Sequence, residues 1–227
     1  MNSQSEFYVG YLPIPRGLKK LVRAVVGGLG VAVAAVSILL VLSQRPFAAA
    51  TFEFHDYWDF QGVLLTNPYP ALAVPGQVPW LLVGPGKHGI TPPVADGRTV
   101  RFRGERIYRG DDHMIETIPE SWEDAGPGRK PADEVELGRV QFTGEIVDSK
   151  CYFGVMNPGN GKVHRDCAAR CISGGIPPAF LVRDRAGVAK TMLLANWRRE
   201  WLDHVAEPVT IRGRLARSAG RLVLYAE

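Results

Sequence analysis

Cysteine is scarce in this sequence, with three residues among 227, and so small and odd a number excludes a disulfide-rich scaffold. No phosphate-binding loop, serine nucleophile elbow or catalytic pair of carboxylates occurs in it. The mean hydropathy of −0.04 excludes a protein with many membrane spans. The hydrophobic share of 46% and the charged share of 22% are typical of a globular chain and exclude general disorder.

Glycine and proline are abundant by contrast, with 25 and 17 residues. Both residues favour turns, so the composition predicts β structure with many turns rather than a helix bundle. The length of the chain allows one large domain or two small ones.

One long apolar run covers residues 24–42 without a charged side chain. As a helix it measures roughly 28 Å, close to the ~30 Å hydrocarbon core of a bilayer. Only Arg45 follows it closely, whereas four basic residues precede it: Arg16, Lys19, Lys20 and Arg23. This asymmetry predicts a transmembrane signal anchor at 21–44, with residues 1–20 in the cytoplasm. The bulk of the chain would then be periplasmic or extracellular, anchored in the cytoplasmic (inner) membrane.

The alternative interpretation of this segment is a cleaved signal peptide, with Ala48, Ala49 and Ala50 as the cleavage site. The apolar run is longer than the hydrophobic region of most signal peptides, which favours the uncleaved anchor.

The exported part contains an internal repeat. Its first copy consists of the segments 60–63, 79–83 and 100–106, and its second of 142–145, 178–182 and 209–215. Each copy has a strand with an interior glycine, a short apolar strand after a proline, and a strand that ends in Arg-Gly. Glycines inside strands mark bends that small closed barrels need. We therefore expect an all-β fold of two tandem OB-like barrels, at 51–118 and 138–227, joined by a polar linker at 119–137.

The second copy is longer than the first in two places. One excess predicts a helix over 195–205, on which Trp197, Trp201 and Val205 form a stripe that faces the core. The other excess contains all three cysteines.

The cysteine insert predicts a short helix over 163–172, because glycines and a double proline follow it. His164, Cys167 and Cys171 share one face of this helix, and Cys151 comes from the end of the preceding strand. Three thiols and one imidazole suit Zn²⁺ or another thiophilic ion such as Cu⁺. The predicted metal ligands are Cys151, His164, Cys167 and Cys171.

Two other interpretations of the same residues stay open. In an oxidising compartment, Cys151 can form a disulfide with Cys167 or Cys171 and leave one thiol. Alternatively, Cys167 and Cys171 form the redox pair of a thiol–disulfide oxidoreductase, although no thioredoxin-like pattern accompanies them. The turn residues Asp111, Asp112 and His113, and His204 near a helix end, favour structural roles.

The run from Val147 to Pro178 resembles a segment of uncharacterised membrane-anchored or periplasmic bacterial proteins with small β domains. The resemblance rests on Cys151-Tyr152, His164, Cys167-Ala168, and Cys171 followed by Gly-Gly-Ile-Pro. It implies an envelope setting beside electron-transfer or metal-handling machinery.

These observations favour a non-catalytic accessory subunit that serves a membrane protein complex through a metal or redox-thiol site. The lipid bilayer is the expected partner of residues 24–42, and the external location argues against nucleic acid. A thiol–disulfide oxidoreductase and a purely structural subunit stapled by a disulfide are the alternatives.

Overall fold

The computed structural model describes residues 15–44, 49–131 and 134–227. The predicted cytoplasmic segment therefore lies mostly outside the described residues. So do Arg45, Ala48 of the alternative cleavage site, and two positions of the predicted linker. The chain divides into two compact units, one with the N-terminal helix and one with all the strands.

The first helix, α1 (Arg16–Ser43), contains the predicted apolar run. Its most apolar window has a mean hydropathy of 2.7, and none of that window is buried. Of the helices in the described residues, α1 alone is long and apolar enough to cross a membrane. The predicted apolar helix is confirmed, and its insertion into a bilayer stays a prediction.

The first half of the strand unit contains six strands: β1 (Thr51–Leu65), β2 (Ala71–Ala73), β3 (Trp80–Val83), β4 (Arg98–Arg109), β5 (Asp112–Thr117) and β6 (Glu123–Pro127). The first barrel has the order β1-β2-β3-β5-β4, and the pairing of β1 with β4 closes it. Strands β3 and β5 run parallel, and the other pairs are antiparallel. The sixth strand, β6, adds to the side of β4.

The second barrel repeats this topology strand by strand. Its strands are β7 (Val135–Asp148), β8 (Pro178–Arg183), β9 (Ala189–Ala195), β10 (Pro208–Ser218) and β11 (Arg221–Ala226). Their order is β7-β8-β9-β11-β10 with closure between β10 and β7, and the third and fifth strands are again the parallel pair. The predicted fold of two tandem OB-like barrels is confirmed.

Two pairs of glycines occupy matching positions in the barrels. A Cβ atom at Gly62 would lie 2.6 Å from a carbonyl oxygen of β2, and one at Gly144 would lie 2.5 Å from a carbonyl oxygen of β8. At Gly104 and Gly213 the distances to carbonyl oxygens of β5 and β11 would be 2.6 Å and 2.2 Å. Only glycine allows the strands to approach so closely, as the sequence predicted for tightly bent barrels.

The predicted correspondence between segments 79–83 and 178–182 is wrong. The first is the third strand of its barrel, which pairs with β5, whereas the second is the second strand of its barrel, which pairs with β7. The counterpart of segment 79–83 is β9, and the counterpart of segment 178–182 is β2. Strand β2 has only three residues, too few to show the alternation that reveals a strand.

The prediction of one helix over 195–205 is also wrong. Asn196 adopts a left-handed conformation with φ of 58°, and the segment then forms a 3₁₀ helix at Arg199–His204. Trp197 and Trp201 nevertheless pack against the core of the second barrel, with their rings edge to face. The predicted packing role of these two side chains is confirmed.

The segment expected as a linker, 119–137, carries secondary structure along much of its length. It contains a 3₁₀ turn at Pro119–Ser121, strand β6, and the first residues of β7. The guanidinium of Arg98 on β4 binds the carboxylate of Asp124 on β6 at 2.8 Å.

Hydrophobic clusters fill each barrel, and a further cluster joins them. The joining cluster contains Val83 and Ile107 of the first barrel together with Phe153 and Leu193 of the second. Phe153 belongs to the cysteine insert and is fully buried. The insert therefore forms part of the core between the barrels.

Candidate metal centre

The cysteine insert is the connection between the first two strands of the second barrel, residues 149–177. The same connection in the first barrel covers residues 66–70. The insert begins with one turn of π-helix at Cys151–Val155 and continues through a 3₁₀ turn at Lys162–His164 into α2 (Arg165–Ser173). The predicted helix is confirmed, with its start two residues later and its end one residue later than expected.

Helix α2 ends as its sequence predicts. The backbone N–H of Gly174 donates to the carbonyl of Arg170, and Gly175 follows with φ of 96°. This left-handed residue turns the chain toward β8 at little cost because glycine has no Cβ.

The predicted metal ligands come together from three local structures. Cys151 opens the π-turn, His164 directly precedes α2, and Cys167 and Cys171 lie on consecutive turns of α2. Cys151, His164 and Cys171 are buried, whereas Cys167 is partly exposed.

Ligand atoms of the insert and of the end of β7 form two overlapping groups, and within each group all the atoms lie within 4.8 Å of one another. The first consists of Cys151, His164 and Cys167, and the second of Asp148, Cys151 and Cys171. Cys151 belongs to both. The cluster could hold a metal ion, although no one group of the described residues contains all four predicted ligands.

Asp148 fixes the positions of two predicted ligands. It is fully buried at the end of β7, and its Oδ1 accepts a hydrogen bond of 2.7 Å from the backbone N–H of Cys151. Its Oδ2 lies 3.0 Å from Nε2 of His164. This contact occupies Nε2 of His164, so Nδ1 is the ring nitrogen that remains free to bind a metal ion.

The buried thiols of Cys151 and Cys171 belong to one group, in which their sulfur atoms lie within 4.8 Å of each other. The neighbouring Cys151 thiol lowers the pKa of the Cys171 thiol, and the positive charge of Lys87 contributes in the same direction. Proximity to Cys171 and burial raise the pKa of the Cys151 thiol. The two thiols therefore titrate as a pair.

The partly exposed thiol of Cys167 faces a lysine of the first barrel. Nζ of Lys87 donates a hydrogen bond of 2.8 Å to Sγ of Cys167. This bond raises the pKa of Lys87, which keeps the ammonium group charged. Lys87 belongs to the loop between β3 and β4, residues 84–97, here called the cover loop.

A second lysine fastens the cover loop to the insert. Lys150 is almost fully buried, and its Nζ donates to the carbonyls of Gly84 at 2.9 Å and Gly86 at 2.5 Å. The same ammonium group forms an ion pair with the carboxylate of Glu116 on β5. Lys150 therefore neutralises a mostly buried carboxylate and closes one side of the site.

Backbone contact between glycines completes this closure. The N–H of Gly89 in the cover loop donates to the carbonyl of Gly174 at 2.9 Å. A Cβ atom at Gly89 would lie 2.2 Å from the carbonyl oxygen of Gly175, so only glycine fits there.

All three cysteines are free thiols in the structure. The alternative disulfide between Cys151 and Cys167 or Cys171 stays a prediction.

The remaining sequence candidates lie away from this cluster. Asp111 is in the predicted hairpin turn between β4 and β5, and His113 stacks on Trp80 with ring centroids 4.6 Å apart. His204 is exposed at the end of its 3₁₀ helix.

Sequence reasoning missed Asp148 and Lys87. Asp148 stands three residues before Cys151. At this spacing its carboxylate reaches the backbone N–H of Cys151 when the chain turns as a helix, but not when it continues as a strand. Lys87 lies in the other barrel, and no sequence pattern connects it with the cysteines.

Comparison with protein-family models, curated proteins and solved structures finds no match to this chain.

Proposed function

We propose that this chain is a single-pass, membrane-anchored accessory protein whose second barrel binds one Zn²⁺ or Cu⁺ ion. The proposed ligands are Cys151, His164, Cys167 and Cys171. The observation that carries the proposal is the buried cluster of thiols, imidazole and carboxylate, because it occupies the connection that most distinguishes the second barrel from the first.

The ligand chemistry supports a thiophilic ion. Thiolates prefer Zn²⁺, Cu⁺ and similar ions over Mg²⁺ or Ca²⁺, and a neutral imidazole completes a four-coordinate shell. A metal-binding histidine usually donates its other ring N–H to a carboxylate, which is the role that Asp148 is placed to take.

The exposure of the ligands favours an ion that is exchanged rather than permanently enclosed. Cys167 is the partly exposed ligand, and Lys87 from the cover loop contacts its sulfur. An ion would enter or leave on this side, where a partner in a membrane complex can reach it. This arrangement supports a role in metal handling or electron transfer.

The membrane placement rests on α1 and its flanks. Basic residues cluster at its N-terminal end, which supports an N-terminus in the cytoplasm and both barrels outside the cytoplasmic membrane. The domains are then the anchor at 21–44 and the barrels at 51–118 and 138–227.

Metal analysis of the purified full chain in detergent tests the metal proposal. After reconstitution with Zn²⁺ or Cu⁺ under reducing conditions, we expect about one ion per chain by mass spectrometry of the elements. His164→Asn and Cys167→Ser should lose this ion, whereas the exposed control His204→Asn should keep it. No bound ion in the native chain, or equal metal content in His164→Asn, would overturn the proposal.

Reporter fusions test the membrane topology. A phosphatase that is active only outside the cytoplasm should be active when fused after Glu227, and an N-terminal tag should stay on the mature chain. Loss of the tag by cleavage would contradict the anchor, and an inactive C-terminal fusion would contradict the orientation.

One observation favours a second candidate function, a thiol–disulfide oxidoreductase. The lowered pKa of the Cys171 thiol, which lies within 4.8 Å of the Cys151 thiol, would assist attack on a disulfide. This function predicts turnover of a disulfide substrate by the metal-free protein that disappears in Cys171→Ala.

The purely structural alternative predicts a different result again. If a disulfide staples the insert, Cys151→Ser should lower the free energy of unfolding by ~2–4 kcal/mol, with no bound metal and no turnover.

A further inference from the structure

A cleft of about 790 Å³ lies between the two barrels, apart from the cysteine cluster. Its walls are the hairpin between β4 and β5 in the first barrel and parts of β9 and β11 in the second. The side chains that bear on its chemistry are Arg109, Asp112, His113, Tyr152, Lys190 and Arg221. The volume falls within the range of about 300–1,000 Å³ that is usual for small-molecule sites.

Three of these side chains each place a buried nitrogen without a hydrogen-bond partner. Among the described residues, no group pairs with Nε of Arg109, Nδ1 of His113 or Nε of Arg221. A buried polar atom left unpaired costs about 1–3 kcal/mol, and native proteins leave few of them. These three atoms have almost no accessible surface, so a ligand in the cleft does not reach them directly. Within the described residues, Nη1 of Arg109 and Nε2 of His113 are neither hydrogen-bonded nor enclosed in this way, and they are the nitrogens that can face a ligand.

Arg221 is held in place by its other nitrogens. Only 9% of the residue is exposed, and its Nη1 contacts Oδ1 of Asp112 at 3.3 Å. Its Nη2 donates to the carbonyls of Pro79 at 2.9 Å and His113 at 3.2 Å. Both Nη atoms of Arg221 are therefore occupied and its Nε is enclosed, so Arg221 contributes positive charge to the cleft rather than a hydrogen bond to a ligand.

Arg109 is fixed in a similar way. Its guanidinium lies over the ring of Tyr152, 4.3 Å from the centroid, and its Nη2 donates to the carbonyl of Pro158 at 3.0 Å. Burial lowers the pKa of Arg109, although an arginine stays protonated at neutral pH.

The charges of the cleft leave a positive excess. Asp112 uses one carboxylate oxygen for Arg221 and the other for the hydroxyl of Thr191. Within the described part of the chain, neither Arg109 nor Lys190 forms a salt bridge. The other carboxylate that lines the cleft, Asp111, is exposed.

We propose that this cleft binds a small oxyanion, a phosphate or a carboxylate, through Arg109, His113 and Lys190, with Arg221 adding positive charge. Anionic oxygens accept from several donors at once and match the fork of a guanidinium. Because none of these residues belongs to the cysteine cluster, the proposal stands or falls separately from metal binding.

Calorimetric titration of the full chain in detergent tests the proposal. The probes are inorganic phosphate and succinate, with sodium chloride at equal ionic strength as the reference. We expect saturable binding of at least one probe: phosphate alone identifies a tetrahedral anion, succinate alone a carboxylate, and both a general oxyanion site.

Two partly or fully exposed cations allow variants that should still fold. Arg109→Gln and Lys190→Gln should each weaken binding about tenfold or more, because each removes a charge from the site. The controls are Arg139→Gln and Lys162→Gln, two exposed residues that do not line the cleft. They should bind as the native chain does.

Two outcomes would overturn the proposal. One is the absence of saturable binding of both probes by the folded native chain. The other is binding that Arg109→Gln and Lys190→Gln leave unchanged.

Discussion

The ammonium group of Lys87 lies 2.8 Å from the sulfur of Cys167, although 80 residues separate them in the chain. The first barrel thereby places a positive charge against a thiol of the second. A thiolate is stabilised by such a charge, and the effect extends to the other thiols of the cluster.

Replacing Lys87 should therefore make the thiols less reactive. In Lys87→Gln the pKa of the Cys171 thiol, which the neighbouring Cys151 thiol and the charge of Lys87 both lower, should rise. In the reduced, metal-free protein at pH 7, we expect alkylation by iodoacetamide to slow by roughly three- to tenfold. Lys162→Gln is the matched control, and an equal rate in both variants would show that Lys87 does not act on the thiols.

Replacing Asp148 should weaken metal binding without removing a proposed ligand. Asp148→Asn keeps the shape of the side chain but alters its contact with Nε2 of His164. We expect the affinity for the ion to fall about 10–100-fold, measured by competition with a chromophoric chelator. Asp166→Asn, an exposed carboxylate on α2, should bind as tightly as the native chain. Equal affinities for the two variants would contradict the role assigned to Asp148.

Replacing Lys150 should destabilise the contact between the barrels. Lys150→Met leaves Glu116 without its cation and two carbonyls of the cover loop without their donor. Because the pair is largely buried, we expect the free energy of unfolding to fall by about 3–5 kcal/mol in urea titrations followed by tryptophan fluorescence. The control Lys162→Met, at an exposed position, should change it by less than about 0.5 kcal/mol. A small effect at Lys150 would mean that the cover loop is held by other contacts.

The stability of the protein should depend on the protonation of His113. Burial, and then the charge of Arg221, lower the pKa of His113 below its ordinary value of 6.5. In the unfolded chain His113 therefore takes up a proton near pH 6.5, whereas in the folded chain it takes one up only at lower pH. The free energy of unfolding should therefore decrease as the pH falls below 6.5.

Urea titrations at several pH values between about 5 and 7.5 measure this dependence. His113→Phe removes the titrating group and should flatten the dependence, whereas His204→Phe should leave it as in the native chain. Parallel curves for the native chain and His113→Phe would exclude His113 as the source.

The barrel fold could be predicted because its constraints are local. Gly62 and Gly144 are visible as glycines inside apolar strands, and α2 is marked by the glycines and prolines that end it. The predicted correspondence between strands of the two barrels is wrong because β2 has three residues and carries no periodic signal. The prediction of a helix over 195–205 is wrong because Asn196 adopts a left-handed conformation, which the hydrophobic stripe in the sequence does not reveal.

The candidate site could be predicted only in part, for a similar reason. Cys151, His164, Cys167 and Cys171 lie close in sequence, and helical spacing places the last three on one face. Lys87 and Lys150 act through contacts between the barrels. Such contacts depend on how two folded surfaces meet, and a single sequence gives no measure of that.

The contact between Gly89 and Gly175 makes the two barrels unequal contributors to one site. The first barrel holds no cysteine, yet its cover loop supplies the wall and the charge that the thiols of the second barrel face. One barrel therefore covers the site, and the other holds its proposed ligands. Transplanting the second barrel alone into another protein would carry over every proposed ligand and leave them open to solvent on the side of Lys87.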